Sequence, residues 1–121
     1  MIFNGISKTY STIGNRQFSS IGRFWDKMAA KYGRENLRGL GYNWTDTTIE
    51  YVIGLRKGTI PEANCNVELP DIGWTCREGR TDELNIIYSL IYMDGPLKYE
   101  IETFDETGEF VDIQYIRDTD E

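Results

Sequence analysis

The sequence predicts an α+β fold, in which an antiparallel sheet carries two helices on one of its sides. Two segments have helical spacing of their apolar residues, each preceded by a strand candidate and followed by a candidate hairpin. The order strand, helix, hairpin therefore occurs twice, which predicts duplicated strand–helix–strand–strand units with a ligand cleft between the halves. The 121 residues fit one domain, residues 1–121, with pseudo-repeats at about 1–57 and 70–117 and a linker at about 57–70.

The first repeat begins with a strand over residues 2–11, where apolar and polar side chains loosely alternate. A turn at 14–17 follows, and then apolar side chains recur every three or four residues, which predicts a helix over 18–32. Gly33 stands where a left-handed C-terminal cap is expected. The apolar positions of this helix are Phe18, Ile21, Phe24, Trp25, Met28 and Tyr32.

The first hairpin is predicted from a strand at 36–45, a turn at 46–47 and a returning strand at 48–56. Along the returning strand Ile49, Tyr51 and Ile53 share one face, while Glu50 and Val52 share the other. Residues 57–70 contain two prolines and several polar turn formers, so they are predicted to be a connection.

The second repeat begins with a strand candidate at 71–79, and Thr81 is predicted to cap the second helix. The helix is predicted from the spacing of its apolar residues, and the Asp-Gly-Pro sequence at 94–96 ends it. A second hairpin follows, with strands at 97–104 and 109–118 around a turn at 105–108. The apolar positions of this helix are Leu84, Ile87, Tyr88, Ile91 and Tyr92.

The charge balance disfavours several partners. Twenty acidic and 13 basic residues give a net charge of −7, and the basic residues are scattered without a stripe that would bind phosphates. We therefore expect no direct nucleic-acid binding, and a cationic partner is favoured electrostatically. No apolar run approaches the ~18 residues of a membrane span, and the N-terminus lacks the features of a signal peptide, so we expect a cytoplasmic protein without membrane contact. The acidic tail 117–121 is expected to fray into solvent.

The chemistry available to the chain is limited. Histidine is absent, and the two cysteines, Cys65 and Cys76, are too few for a disulfide scaffold or a zinc site, so we expect reduced thiols, no metal and no cofactor. Any reaction would depend on carboxylates, tyrosines or water.

Aromatic residues make up 13% of the chain, and they suit either a core or a pocket for flat or cationic molecules. Trp44 and Trp74 are candidates for a cleft wall because each lies near a strand end, beside a turn or a glycine. Tyr42 and Tyr51 flank the same first hairpin and are the other aromatic candidates. For all four, ordinary core or cross-strand packing is the alternative, and Trp25 is expected to be core.

The segments IGRFWDKM (21–28), LGYNWTDTTIEYVIGL (40–55), YEIETF (99–104) and VDIQYI (111–116) together resemble the GyrI-like small-molecule-binding domain. The same domain is the effector-binding domain of some bacterial AraC-type and MerR-type regulators. The resemblance runs from about residue 7 to residue 117. It implies the duplicated fold named above, a cleft between its halves, and a role in multidrug binding or transcription regulation.

The resemblance also implies a site. Family members that bind lipophilic cations hold a glutamate in an aromatic-lined pocket, within a pattern like Phe-Glu-hydrophobic-Tyr. Here that pattern falls on Tyr99, Glu100, Ile101 and Glu102, so Glu100 is expected to be the key acid. Glu102 departs from the usual aromatic, which alters the expected pocket and adds a second acid on the same strand face. Glu50, at the comparable place in the first half, is expected on the solvated face.

Three functions follow as hypotheses. The first is binding of amphipathic, cationic aromatic molecules for sensing or sequestration, with Glu100 and Glu102 as acids and Trp44, Trp74, Tyr42 and Tyr51 as faces. The second is hydrolysis of strained, cyclopropane-containing DNA alkylators by Glu100 and a tyrosine hydroxyl, an activity known in a subgroup of the family. The third is a protein-interaction module with an acidic surface. The chain begins directly with the binding domain and has no room for a helix-turn-helix, so we expect either a stand-alone protein or an excised effector domain. A homodimer and a separate DNA-binding partner also stay open.

Overall fold

A computed structural model describes residues 1–118 of the chain. Within these residues the fold is α+β, as predicted, with one antiparallel sheet of seven strands and two α-helices. The strands lie in the order β4-β1-β3-β2-β6-β7-β5. In chain order the elements are β1 (Ile2–Ser11), α1 (Arg16–Tyr32), β2 (Leu37–Tyr42), β3 (Thr48–Leu55), β4 (Cys65–Glu68), β5 (Thr75–Arg80), α2 (Leu84–Met93), β6 (Leu97–Phe104) and β7 (Phe110–Arg117).

Both predicted helices and both predicted hairpins are confirmed, while several local predictions are wrong. The segment 57–70 is not only a connection, because β4 pairs with β1 along the sheet edge through Val67 and Phe3. Thr81 does not cap α2, since its hydroxyl donates instead to the carbonyl oxygen of Gly108 at 2.7 Å. Gly33 ends α1 with a positive φ of 85°, but its ψ of 129° is extended rather than left-handed helical.

The larger part of the hydrophobic core lies between the sheet and the two helices. Phe24, Trp25 and Met28 from α1 and Ile87 and Ile91 from α2 all belong to this one buried cluster. Both helices therefore pack on the same side of the sheet, because their apolar stripes face the alternate residues of the central strands. A smaller cluster covers the opposite side, with Phe3, Leu40, Val52, Leu69 and Ile101 at its centre.

The centre of the sheet is the pair β2–β6, and it places two glycines opposite two glutamates. Gly39 pairs with Glu102 and Gly41 pairs with Glu100, while Leu40 and Ile101 between them turn to the other side. A Cβ at Gly41 would lie 2.9 Å from Oε1 of Glu100, so a larger residue on β2 would take the space that the carboxylate fills. The two glutamates therefore have room on the helix side of the sheet because the positions opposite them on β2 carry no side chain.

Three remaining predictions concern membrane-spanning helices, the cysteines and the acidic tail. No helix among residues 1–118 combines the length and the apolar character needed to cross a bilayer. Cys65 and Cys76 are free thiols, in agreement with the expected reduced state. The acidic tail predicted to fray lies in part outside the described residues, because residues 119–121 are not described.

Candidate functional site

A cavity of about 220 Å³ lies on the helix side of the sheet, between α1 and α2. The carboxylates of Glu100 and Glu102 form its floor at the β2–β6 seam, and Phe18 stands at its rim with 43% of its surface exposed. Aromatic side chains from both helices, from the first hairpin and from the end of β6 contribute to the wall. They are Trp25, Trp44, Tyr51, Tyr88, Tyr92 and Phe104.

Glu102 is 5% exposed and its carboxylate accepts hydrogen bonds from three different elements. Its Oε1 accepts from Nε1 of Trp25 on α1 at 2.9 Å and from the hydroxyl of Tyr51 on β3. Its Oε2 accepts from the hydroxyl of Tyr88 on α2 at 2.6 Å. The Trp25 Nε1 also lies 2.8 Å from the Tyr51 oxygen, so the donors themselves are linked. Glu102 therefore ties both helices to the sheet and has its charge compensated by protein donors.

Glu100 is equally buried, at 5% exposure, but has far fewer partners. Its Oε2 accepts from the hydroxyl of Tyr92 at 2.9 Å, and no donor among residues 1–118 reaches its Oε1. No lysine or arginine of this described part lies within salt-bridge distance of it. Burial, and next the charge of Glu102, raise the pKa of Glu100 to about 8, against a partial lowering by the Tyr92 hydrogen bond. Glu100 therefore holds a proton through most of the neutral range.

The three tyrosines around the acids stay protonated and act as donors. Burial first, and then the charge of Glu102, raise the pKa of Tyr51 and of Tyr88 far above the usual value. Burial and then the charge of Glu100 raise the pKa of Tyr92 in the same way. These hydroxyls can therefore orient and stabilise negative charge, but they do not supply a phenolate base near neutral pH.

A paired arginine borders the cavity on the α1 side. Arg34 Nη2 lies 2.8 Å from Oδ1 of Asp26, and the guanidinium stands over the rings of Trp25 and Phe104 at 5.7 and 5.2 Å from their centroids. The Asp26 side chain is 76% exposed. The guanidinium in the cavity lining is therefore already paired with a largely exposed carboxylate, and the two floor carboxylates give the cavity an acidic character.

Four of the six predicted site residues line this cavity, namely Glu100, Glu102, Tyr51 and Trp44. Tyr42 and Trp74 lie on the opposite side of the sheet, packed against the smaller cluster. The Tyr42 hydroxyl contacts Sγ of Cys65 at 3.7 Å, and Nε1 of Trp74 donates to the carbonyl oxygen of Pro70 at 2.9 Å. The reason is strand alternation: Gly41 faces the cavity, so its neighbour Tyr42 faces away.

Three side chains that donate hydrogen bonds to the two glutamates were not among the predicted site residues. Trp25, expected in the core, is buried and also donates to Glu102, while Tyr88 and Tyr92 stood only as apolar positions of a helix. A signal existed in the sequence. Two tyrosines at i and i+4 on a buried helix face bring hydroxyl donors that need acceptors, and two glutamates on a buried strand face need donors. Matching these demands would have placed α2 over β6.

A second group of candidate ligand atoms lies on the other side of the sheet. Sγ of Cys76 and carboxylate oxygens of Glu78 and Asp112 lie within 4.8 Å of one another. The Cys76 thiol donates to Oδ1 of Asp112 at 2.8 Å, and this bond, followed by partial burial, raises the pKa of Cys76 to about 11. The thiol is therefore protonated at neutral pH, which does not suit a thiolate metal ligand.

Compared with family models, with curated proteins and with solved structures, the chain matches none. The cavity is partly enclosed and is lined by aromatic rings and by acidic side chains. One of its carboxylates is satisfied by protein donors, and the other has an oxygen left for something else.

Proposed function

We propose that this protein binds a small amphipathic cation with an aromatic body in the cavity between α1 and α2. Glu100 supplies the negative charge, and Trp44, Trp25 and Tyr51 supply ring faces. The observation that carries the proposal is the state of Glu100, which is 5% exposed inside an aromatic enclosure and has one donor among residues 1–118 for its two oxygens. The biological role proposed is sensing or sequestration of such molecules.

The energetics favour a cation over a neutral ligand. A carboxylate held in a poorly solvated site with few partners is costly, and the protein responds by keeping Glu100 protonated. A cation placed beside it restores the charged form and removes that cost. Each ring that meets the cation with its face adds roughly 0.5–2 kcal/mol. The acidic net charge of −7 adds a long-range attraction for the same class of ligand.

The cavity volume limits the ligand to a small molecule. Drug-sized ligands occupy pockets of roughly 300–1,000 Å³, whereas this cavity measures about 220 Å³. One or two fused rings with a short cationic side chain fit that space better than a large dye. The exposed rim at Phe18 leaves room for a ligand to extend outward.

The strand order supports the GyrI-like arrangement as part of the same proposal. Next to the edge strand β4, the order β1-β3-β2 is followed by β6-β7-β5, so apart from β4 the strands of each half mirror those of the other about the β2–β6 pair. We infer two duplicated units that meet at this pair, with the cavity above their seam. Clefts where two such halves of one chain meet are common sites for small ligands.

One observation favours a second candidate, hydrolysis of a strained electrophile. A carboxyl group with a pKa of about 8 carries a proton at neutral pH and can act as a general acid. The Tyr92 hydroxyl beside it orients that group from 2.9 Å. Opening of a strained ring needs only such an acid, a water molecule and exclusion of bulk solvent. Turnover of a cyclopropane-containing alkylator by wild type and not by Glu100→Gln would favour this reaction over simple binding.

Calorimetric titration tests the binding function directly. Naphthylmethyl-dimethylamine, protonated at neutral pH, is compared with naphthylmethyl methyl ether, a neutral molecule of similar shape. We expect saturable binding of the amine, much weaker binding of the ether, and loss of the difference in Glu100→Gln. Trp74→Phe, on the opposite side of the sheet, is the matched control and keeps the wild-type preference. Equal binding of amine and ether to the wild-type protein would contradict the role of Glu100.

A further inference from the structure

The hydrogen bonds of the two floor carboxylates define the ligand more narrowly than charge and size do. We infer that the cavity selects a singly charged, protonated amine over a quaternary ammonium, with the amine N–H donating to Oε1 of Glu100 and the proton of the Glu100 carboxyl passing to solvent. This inference rests on the proposed function and names the ligand class and the proton balance of the same site.

The first step is the vacant acceptor. The two oxygens of Glu100 differ, since Tyr92 donates to Oε2 at 2.9 Å while no donor of residues 1–118 reaches Oε1. On the sheet side this oxygen lies against Gly41, where even a Cβ would come within 2.9 Å. The partner of Oε1 therefore has to come from the cavity side. An amine N–H meets this demand, whereas a quaternary nitrogen surrounded by methyl groups brings no donor.

The second step is the number of charges. Glu102 already accepts from Trp25, Tyr51 and Tyr88, so its carboxylate is compensated within the protein. Asp26, the other acid in the lining, is paired with Arg34. Among the described acids of this cavity, Glu100 is thus the buried one with an oxygen free for a ligand charge, whereas the Asp26 side chain is 76% exposed. A second positive charge inside the cavity would have no buried partner and would be costly there.

The third step is the proton. The titratable and charged groups that face Glu100 come from every element around it: Glu102 on β6, Tyr51 on β3, Tyr115 on the paired strand β7, Tyr88 and Tyr92 on α2, Asp26 on α1, and Arg34 just after α1. Burial and the neighbouring Glu102 raise the pKa of Glu100 to about 8, so the empty site carries one proton there at neutral pH. The ammonium keeps its own proton on binding. The carboxyl proton passes to the buffer, and the charge of the site does not change.

Three matched ligands test the inference by calorimetry. They are naphthylmethyl-dimethylamine, naphthylmethyl-trimethylammonium and naphthylmethyl methyl ether, each titrated in two buffers with different ionisation enthalpies. We expect the protonated amine to bind tighter than the quaternary ion, on the order of tenfold, because only the amine satisfies Oε1. Proton release should be close to one per ligand at pH 6 and about one half at pH 8. The affinity of the amine should rise nearly tenfold between pH 6 and pH 7.

Two variants sharpen the result. Glu100→Gln keeps the side-chain shape but has no titrating carboxyl, so proton release should vanish even if some binding survives. Tyr42→Phe changes a hydroxyl on the opposite side of the sheet and should keep both the release and the preference.

Different results separate the inference from the function on which it rests. If the quaternary ion binds as tightly as the amine, or if the heat is independent of the buffer, the inference is wrong while cation binding stands. If neither cation binds more tightly than the ether, the proposed function fails, and the inference fails with it.

Discussion

Glu100 and Glu102 differ in their hydrogen bonding although they lie two residues apart on β6, face the same cavity and are each 5% exposed. Glu102 accepts hydrogen bonds from α1, β3 and α2. Glu100 accepts one, from Tyr92. Burial alone therefore does not decide how a carboxylate is bonded. The number of donors supplied by the protein decides whether the group is fully satisfied within the fold or keeps an oxygen without a partner.

The difference originates in the surroundings of the two glycines on β2. Gly39, opposite Glu102, is crowded by Trp25 and Tyr51, and a Cβ there would lie 2.8 Å from the Trp25 ring. Gly41, opposite Glu100, is approached by the Glu100 side chain itself. The side chains of Trp25 and Tyr51 therefore reach Glu102 over Gly39. Over Gly41 there is only the side chain of Glu100, which keeps free space on its cavity side.

The largest effect should come from removing the better-bonded acid. Glu102→Ala leaves the hydroxyls of Tyr51 and Tyr88 as buried donors without an acceptor, and Trp25 keeps only the Tyr51 oxygen. We therefore expect a loss of about 3–5 kcal/mol in the free energy of unfolding. Glu100→Ala, which orphans only Tyr92, should cost clearly less. Denaturant titration of both variants checks this. Equal losses for the two would break the distinction between a structural and a ligand-binding carboxylate.

The next effect is the pH dependence of stability. The pKa of Glu100 is about 8 in the folded protein and near its ordinary value of 4.5 when unfolded, so between these values the folded state binds more protons. The contribution of Glu100 to the free energy of unfolding is therefore fully present below about pH 4.5 and is lost as the pH rises through 8. The size of the pKa shift implies a loss of a few kcal/mol. Denaturant titrations of wild type and Glu100→Gln between pH 6 and pH 9 measure it. The variant should lack this decline, and parallel profiles would show that Glu100 is already ionised.

The glycines should give a smaller effect. Gly39→Ala forces a Cβ against the Trp25 ring and the Tyr51 hydroxyl, and we expect a loss of about 1–3 kcal/mol in stability. Gly41→Ala meets the end of a flexible side chain, so its loss of stability should be smaller while ligand affinity falls because Glu100 is displaced. Thermal melting and calorimetric titration separate the two quantities. A Gly41→Ala variant with unchanged affinity would contradict the placement of Glu100 at the ligand.

The smallest effect concerns the two tryptophans predicted for one cleft. Trp44 lines the cavity and Trp74 lies across the sheet from it. Trp44→Leu should weaken binding of naphthylmethyl-dimethylamine by roughly 1 kcal/mol, the value of one cation–ring contact. Trp74→Leu should leave the affinity unchanged. The reverse result would put the ligand on the other side of the sheet.

Much of the fold follows from the sequence because it depends on local patterns. The spacing from Phe18 to Tyr32 predicts α1, and β6 begins and ends where the sequence predicts it, at Leu97–Phe104. The edge strand β4 was missed because four residues between prolines carry little pattern of their own, and pairing with β1 decides their conformation. Tertiary pairing, rather than local propensity, fixes such short strands.

The candidate site could be predicted only in part. Glu100, Glu102, Tyr51 and Trp44 come together in the cavity, while Tyr42 and Trp74 do not. The side of the sheet on which an aromatic lies depends on the register that pairs Gly41 with Glu100. Likewise the donors Tyr88 and Tyr92 reach β6 only because α2 packs over the same seam. Neither the register nor the helix placement is encoded in a single segment.

Carbon-13 NMR of the glutamate side-chain carboxyl groups, with the Glu100 resonance assigned through Glu100→Gln, measures the protonation state of Glu100 directly. In the free protein the Glu100 signal should be that of a protonated carboxyl at pH 6 and should titrate near pH 8. Addition of naphthylmethyl-dimethylamine at pH 6 should convert it to the carboxylate signal. A Glu100 resonance that is already ionised at pH 6, and that does not respond to the amine, would contradict the account.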